Sequence, residues 1–257
     1  MKNNFVHLHL HTEYSLLDGV GKIDEYLDRA KILGMRAMAI TDHGNMFGAV
    51  EFYKKALSKG IKPIVGMEAY LSEFGMEEKT GRNFHLVLLA KNETGYKNLM
   101  KLSSEAYLRG FYYRPRIDKE MLKSHGEGII ALSACMQGEL SKRILDGESN
   151  ENLDKAVDEY IAIFGKDDFY IELQSNGVKE QKKLNDDLYA LAQRHGLKVV
   201  ATNDTHYVFY GDHALQDILI CVQTGSKLSD EKRMKIETDQ LFLKNREQML
   251  EELGKYD

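Results

Sequence analysis

Seven short apolar runs alternate with amphipathic stretches along most of this chain. The runs are FVHLHLHT (5–12), AMAITDH (37–43), KPIVGMEAYL (62–71), FHLVLLAK (84–91), GIIALSAC (128–135), DFYIELQ (168–174) and KVVATNDTHY (198–207). Each has strand length and predicts a strand. Between the first two, Ile23, Leu27, Ala30 and Ile32 mark a helical stripe that stops at Gly34. Similar stripes predict helices over 49–60, 94–108, 119–124, 137–147, 152–165, 178–196 and 211–225. The stretch EFGMEEKTGRN (73–83) is polar and glycine-punctuated, and predicts an exposed loop. Strands alternating with helices imply parallel βαβ units. No GxGxxG follows the first run, so a closed (β/α) barrel is favoured over an open dinucleotide-binding sheet. From Ser226 the chain is highly charged and less regular, ending in the helix-like NREQMLEELGKYD.

Composition narrows the class. At 257 residues, with 43% hydrophobic and 29% charged positions, the chain reads as globular and large enough for one barrel or two small domains. No run approaches a membrane span and nothing resembles a signal peptide, so a cytoplasmic protein is expected. Two cysteines, Cys135 and Cys221, offer no disulfide framework, which fits a reducing compartment. A net charge of −5 argues against gripping nucleic acid by general basicity. Any such contact should be local, or supplied by bound metal.

The candidate chemistry is concentrated in HLHLHTEYSLLDG (7–19). His7, His9 and His11 alternate, so on a strand their imidazoles share a face, and Asp18 follows nearby. Imidazoles so arranged suit zinc, iron or manganese; the competing reading is a polar edge strand with surface histidines. Position decides between them. His9, His11, His43, Glu68, Cys135, Asp204 and His206 fall near or just past the C-terminal ends of five predicted strands, where β/α barrels assemble active sites. His7 is assigned to a deeper layer as a hydrogen-bonded core residue. Asp42 is expected to orient a ligand histidine from behind. His195 fits a helix C-terminus, His125 and His213 the surface, and Cys221 the core. The loop RGFYYRPRID, with Arg109, Arg114 and Arg116 among tyrosines, suits either single-stranded nucleic acid or packing against a further domain, with Arg114 and Arg116 as candidate substrate contacts.

Together HLHLHTEYSLLDG, TDHGNMFGAVEFY, GIKPIVGMEAY, ALSAC and ATNDTHY closely resemble the PHP (polymerase and histidinol phosphatase) family, from about Phe5 to about Leu243. The form they resemble stands at the N-terminus of bacterial replicative DNA polymerase III alpha subunits. The resemblance implies an α/β fold, a distorted seven-stranded (β/α)7 TIM-like barrel with its metal site at the C-terminal face. It implies nine metal ligands: His9, His11, Asp18, His43, Glu68, His85, Cys135, Asp204 and His206. His9, His11, Glu68 and Asp204 would surround one ion. Glu68 would bridge to a second, held also by His85 and Cys135, and Asp18, His43 and His206 would hold a third. Two to three divalent ions are expected, zinc and/or manganese, with iron an option. Three such ions would outweigh the four negative groups by about two charges and draw in a phosphate.

The implied activity is metal-dependent phosphoester hydrolysis, in the form of a 3′–5′ proofreading exonuclease acting on the 3′ end of single-stranded DNA. His9, His11, Glu68, Asp204 and His206 would be catalytic. The alternatives are a free-standing phosphatase of the histidinol phosphate type and a non-catalytic scaffold of the polymerase. Residues 1–225 would form the barrel. Residues 226–257 would lead toward a polymerase palm, with the remaining alpha-subunit domains and other replisome subunits as partners.

Overall fold

The computed structural model describes residues 5–16 and 18–256; the outermost ends of the expected barrel and extension lie outside them. Its strands are β1 (Ala37–Ile40), β2 (Lys62–Ser72), β3 (Asn83–Ala90), β4 (Arg116–Ile117), β5 (Ile129–Leu132), β6 (Phe169–Gln174) and β7 (Lys198–Thr202). They form a sheet ordered β1-β2-β3-β5-β6-β7, with β4 pairing β2 off that path. The architecture is the distorted α/β barrel that the family resemblance implies, with two corrections to the reading of the pattern.

The first concerns direction. β3 runs antiparallel to both of its neighbours, whereas uniformly parallel units were expected. A parallel return needs a crossover of about a dozen residues or more, usually helical. The polar loop 73–82 is shorter and carries no helix, so β2 and β3 close as a hairpin. The start of β3 therefore lies at the same barrel end as the finish of the parallel strands. That places His85 among the other candidates.

The second concerns residues 5–12, which form no regular strand. They still close the ring. His11 N–H donates to the Thr205 carbonyl (2.7 Å) on one side, and Ala39 and Thr41 N–H donate to the His7 and Leu10 carbonyls (2.9 Å each) on the other. Four residues, His7 to Leu10, thus face three, Ala39 to Thr41, which is a bulge. Thr41 Oγ1 accepts the Leu10 N–H (2.8 Å). The bulge breaks the period of two, so His7 does not share the face of His9 and His11. Its Nε2 meets the Lys244 carbonyl at 2.9 Å, and its ring packs edge-on to Phe5. His7 is a buried, hydrogen-bonded core residue, but of the outer layer.

Elsewhere alternation holds. In β2, Met67, Ala69 and Leu71 face the helices, packing with Leu99 and Leu102 of helix Glu93–Leu108. Glu68 lies between them in sequence and points inward. In β6, Phe169, Ile171 and Leu173 face outward, leaving Glu172 inside. Ala39, Val87, Leu89, Leu132 and Ala134 fill the interior below the polar end. Helix starts are set by side-chain caps, as where Asn92, Asp118 and Ser149 accept backbone N–H groups of the first turn. At the other end of the chain, His206 N–H donates to the Leu241 carbonyl (2.8 Å), and helix Arg246–Leu253 seats Met249 and Leu253 in the outer core. Among the described residues no helix is long and apolar enough to cross a membrane.

Candidate metal centre

The nine candidate ligands converge at one end of the barrel, from the ring-closing segment, the ends of β1 and β7, the middle of β2, the start of β3 and the turn after β5. Two backbones there take left-handed conformations without being glycine: Asp204 (φ 49°) and Ala134 (φ 64°), the residue before Cys135. Such backbone costs about 1 kcal/mol or more and persists where the surroundings impose it.

Four donors form the tightest group. His9 Nε2 lies 3.2 Å from Glu68 Oε1 and 3.3 Å from Asp204 Oδ1; His11 Nε2 lies 3.2 Å from Asp204 Oδ1 and 3.7 Å from Glu68 Oε2. The edge of a tetrahedron drawn at ordinary zinc–nitrogen bond lengths is about 3.3 Å. Beside them, His85 Nδ1 sits 2.8 Å from Glu68 Oε1 and 3.6 Å from Cys135 Sγ. On the other flank His43 Nε2 faces Asp18 Oδ2 (3.1 Å) while its Nδ1 faces Glu68 Oε2 (2.6 Å). The His206 ring stacks on His11 at 4.3 Å. His43 thus reaches Glu68 as well as Asp18, and it links the flanks.

Each inner histidine is held from behind, which fixes which nitrogen faces the cluster. His9 Nδ1 donates to Glu172 Oε1 at 2.7 Å. Ser15 donates its hydroxyl to Asp42 Oδ1 (2.7 Å), so its oxygen is left to accept from His11 Nδ1 (2.9 Å). His206 Nδ1 donates to the Asp204 carbonyl (2.7 Å). In all three rings the Nε2 lone pair then turns inward. Asp42 touches no histidine side chain. Thr12 and Ser15 occupy its carboxylate, so Asp42 reaches His11 only through Ser15.

The inward atoms lack partners. His9 Nε2, His11 Nε2, His43 Nδ1, Asp18 Oδ1, Glu68 Oε2 and Asp204 Oδ1 are all buried without a hydrogen bond among the described residues. They are close, but their angles are wrong for hydrogen bonding. Leaving so many polar atoms bare would cost several kcal/mol, and a cation among them removes that cost. The charges agree. Although burial opposes it, the surrounding imidazoles hold the Glu68 and Asp204 carboxyls well below the usual range. Burial, with His43 and His206 alongside, pushes His11 down to about 3, so it stays neutral. Burial beside Asp204 and Glu68 pushes the Cys135 thiol well up. A divalent cation would reverse that last shift and favour the thiolate. The residues present fit divalent metal.

Sequence reasoning missed Glu172, the buried anchor of His9. Gln174 Nε2 (2.8 Å) and the Thr202 hydroxyl also donate to it. A carboxylate between the apolar Ile171 and Leu173 of FYIELQ, on an inward position, was the available signal. It also missed Tyr70, whose ring stacks on His43 at 6.0 Å.

The two candidate substrate arginines separate. Arg114 is exposed, with its guanidinium 5.5 Å from the centre of the Tyr70 ring, at the mouth of the cluster. Arg116 is buried, donating through Nε to the Gly110 carbonyl (3.0 Å) and through Nη2 to that of Met76 (2.6 Å). It is a strut for its loop rather than a substrate contact, a correction that its burial and its bonds to those carbonyls decide together. Arg116→Ala is expected to lower the unfolding free energy by about 2–4 kcal/mol. Denaturant unfolding checks this, and a loss below about 0.5 kcal/mol would refute the strut.

The barrel, its mixed strand directions and the histidine-rich end define a class. The profile of the PHP domain matches residues 7–176, and the chain belongs to that family. It is 46% identical over 255 residues to DNA polymerase III subunit alpha of Borreliella burgdorferi and 48% identical over 251 residues to that of Treponema pallidum. Those matches cover 97% and 96% of this chain but 22% and 21% of the subunits, so the chain spans about a fifth of their length. A Bifidobacterium adolescentis protein assigned as a metal-dependent phosphoesterase shares the fold, with a TM-score of 0.53 at 16% identity over 98% of this chain and 96% of that one.

Proposed function

We propose that this chain is the PHP domain of a bacterial DNA polymerase III alpha subunit, working in the cytosol as a metal-dependent phosphodiesterase on the 3′ end of single-stranded DNA. The observation that carries the reading is the convergence of bare, buried donor atoms from Glu68, Asp204, His9, His11, His43 and Asp18. The identity to polymerase alpha subunits supports a DNA substrate. Residues 226–257 lead on to further alpha-subunit domains, which are the nearest partners, with other replisome subunits beyond them.

Two to three ions, zinc or manganese, would be held by His9, His11, Asp18, His43, Glu68, His85, Cys135, Asp204 and His206. When bound they would supply Lewis acidity toward a phosphoryl oxygen and hydroxide near neutral pH. The chain's own part is orientation. Glu172, Ser15 and the Asp204 carbonyl keep the Nδ1 protons of His9, His11 and His206, leaving their Nε2 lone pairs directed into the cluster. Arg114 stands where an incoming phosphate would pass, and its charge offsets the acidity of the surface.

The test compares single-stranded DNA, bis(p-nitrophenyl) phosphate and histidinol phosphate with manganese or zinc present. DNA should shorten from its 3′ end at a rate that rises with pH through neutrality, and Asp204→Asn should abolish this without unfolding the barrel. The same chain should show no template-dependent nucleotide incorporation. Much faster turnover of histidinol phosphate would transfer the assignment to a free-standing phosphatase. Bound metal with no hydrolysis of any substrate would leave a scaffold.

A further inference from the structure

A series of exposed rings leads away from the cluster on one side. His43 stacks on Tyr70, and Arg114 covers the Tyr70 ring. Gly44, at φ 62°, fits so tightly between Tyr70 and Pro115 that a Cβ there would come within 2.6 Å of the proline. This contact locks the turn after His43 onto the loop that carries Arg114. Asn45 stiffens the turn by donating to the His43 carbonyl (2.9 Å) and accepting the Phe47 N–H (3.0 Å). Phe47 then lies 5.9 Å from Tyr107, which stacks on Phe111 at 6.0 Å.

These three rings are 56%, 38% and 57% exposed, although they touch one another. Contiguous exposed aromatics on a folded chain mark a binding surface. Two features select a nucleic acid over a protein. The rings begin four residues after a candidate ligand, on a turn that is rigid by construction. Arg114 has no carboxylate partner among the described residues, in contrast to Arg109, which pairs with Glu77 and Glu105. Stacking faces beside an unpaired cation, next to a cluster suited to phosphate, match the alternation of bases and phosphates in a single strand.

We propose that Phe47, Tyr107 and Phe111 stack the bases of a single DNA strand and deliver its end to the cluster past Tyr70 and Arg114. This deepens the phosphodiesterase reading and rests on it for the direction of the strand. The test measures equilibrium binding of a fluorescent, hydrolysis-resistant phosphorothioate oligothymidylate to the metal-loaded chain, beside turnover of bis(p-nitrophenyl) phosphate. Phe47→Ala/Phe111→Ala should raise the oligonucleotide Kd at least about tenfold, as the loss of two stacking faces requires. An abasic strand should bind wild type about as weakly. Turnover of the small diester should stay within about twofold. Binding unchanged in the double variant would overturn the inference and point to a protein partner on the rings, while the phosphodiesterase reading would stand if the small diester is hydrolysed. Ring-dependent binding without any hydrolysis would keep the inference and refute that reading. Circular dichroism of the double variant, expected to match wild type, checks that the exposed substitutions leave the fold intact.

Discussion

Glu68→Ala is expected to reduce bound metal to one ion or fewer per chain and to cut phosphodiester hydrolysis by about a thousandfold or more. Glu68 is 1% exposed, and its two oxygens lie within 3.2 Å of His9, 2.8 Å of His85, 3.7 Å of His11 and 2.6 Å of His43. No other side chain in the cluster touches four histidines. Its removal leaves those rings facing one another around a void, without the anion that neutralises a cation between them. The fold should survive, because the flanking Met67 and Ala69 pack outward against the helices and Glu68 belongs to neither apolar layer. Metal analysis, hydrolysis rate and circular dichroism on one preparation check all three points. Near-wild-type activity would show that no bridging carboxylate is needed.

The second large effect is expected at Glu172, which would touch neither metal nor substrate. Its carboxylate receives His9 Nδ1 and is itself held by Gln174 and Thr202. Glu172→Ala should lower metal affinity about 10- to 100-fold, the usual consequence of losing the group behind a ligating imidazole. Glu172→Gln retains an oxygen that can accept the Nδ1 proton but loses the charge, and should recover much of the affinity. Titration with manganese of the chelator-treated proteins separates the cases. Equal losses in both variants would mean that charge, and not the orientation of His9, is what Glu172 contributes. No loss in either would remove it from the site.

Continuous apolar runs and helical stripes made most of the barrel legible, because a strand buried on both faces reads as an unbroken apolar run and the helix covering it carries its own period. Strand direction does not read that way. FHLVLLAK looks the same run upward or downward, and only the missing helix in 73–83 announced the hairpin that brings His85 to the right end. The bulge after His7 was hidden for a related reason. It is imposed by hydrogen bonds to Ala39 and Thr41, far along the chain, so simple alternation put three histidines on one face where the fold puts two. Arg114 and Arg116 are equivalent letters in a polar loop, and only the carbonyls of Gly110 and Met76 distinguish strut from surface cation. The nine candidate ligands could be named in advance through the family resemblance, and eight of them lie inside the quoted motifs, with His85 near the start of FHLVLLAK. Glu172 sits in no such motif, and its role appears only once the barrel closes and β6 faces His9 across the interior.

Elemental analysis of the purified chain, taken after incubation with zinc or manganese and removal of free metal, tests the central claim most directly. The account predicts two to three divalent ions per chain. A chain that remains metal-free, while folded and with Glu68 and Asp204 intact, would contradict it.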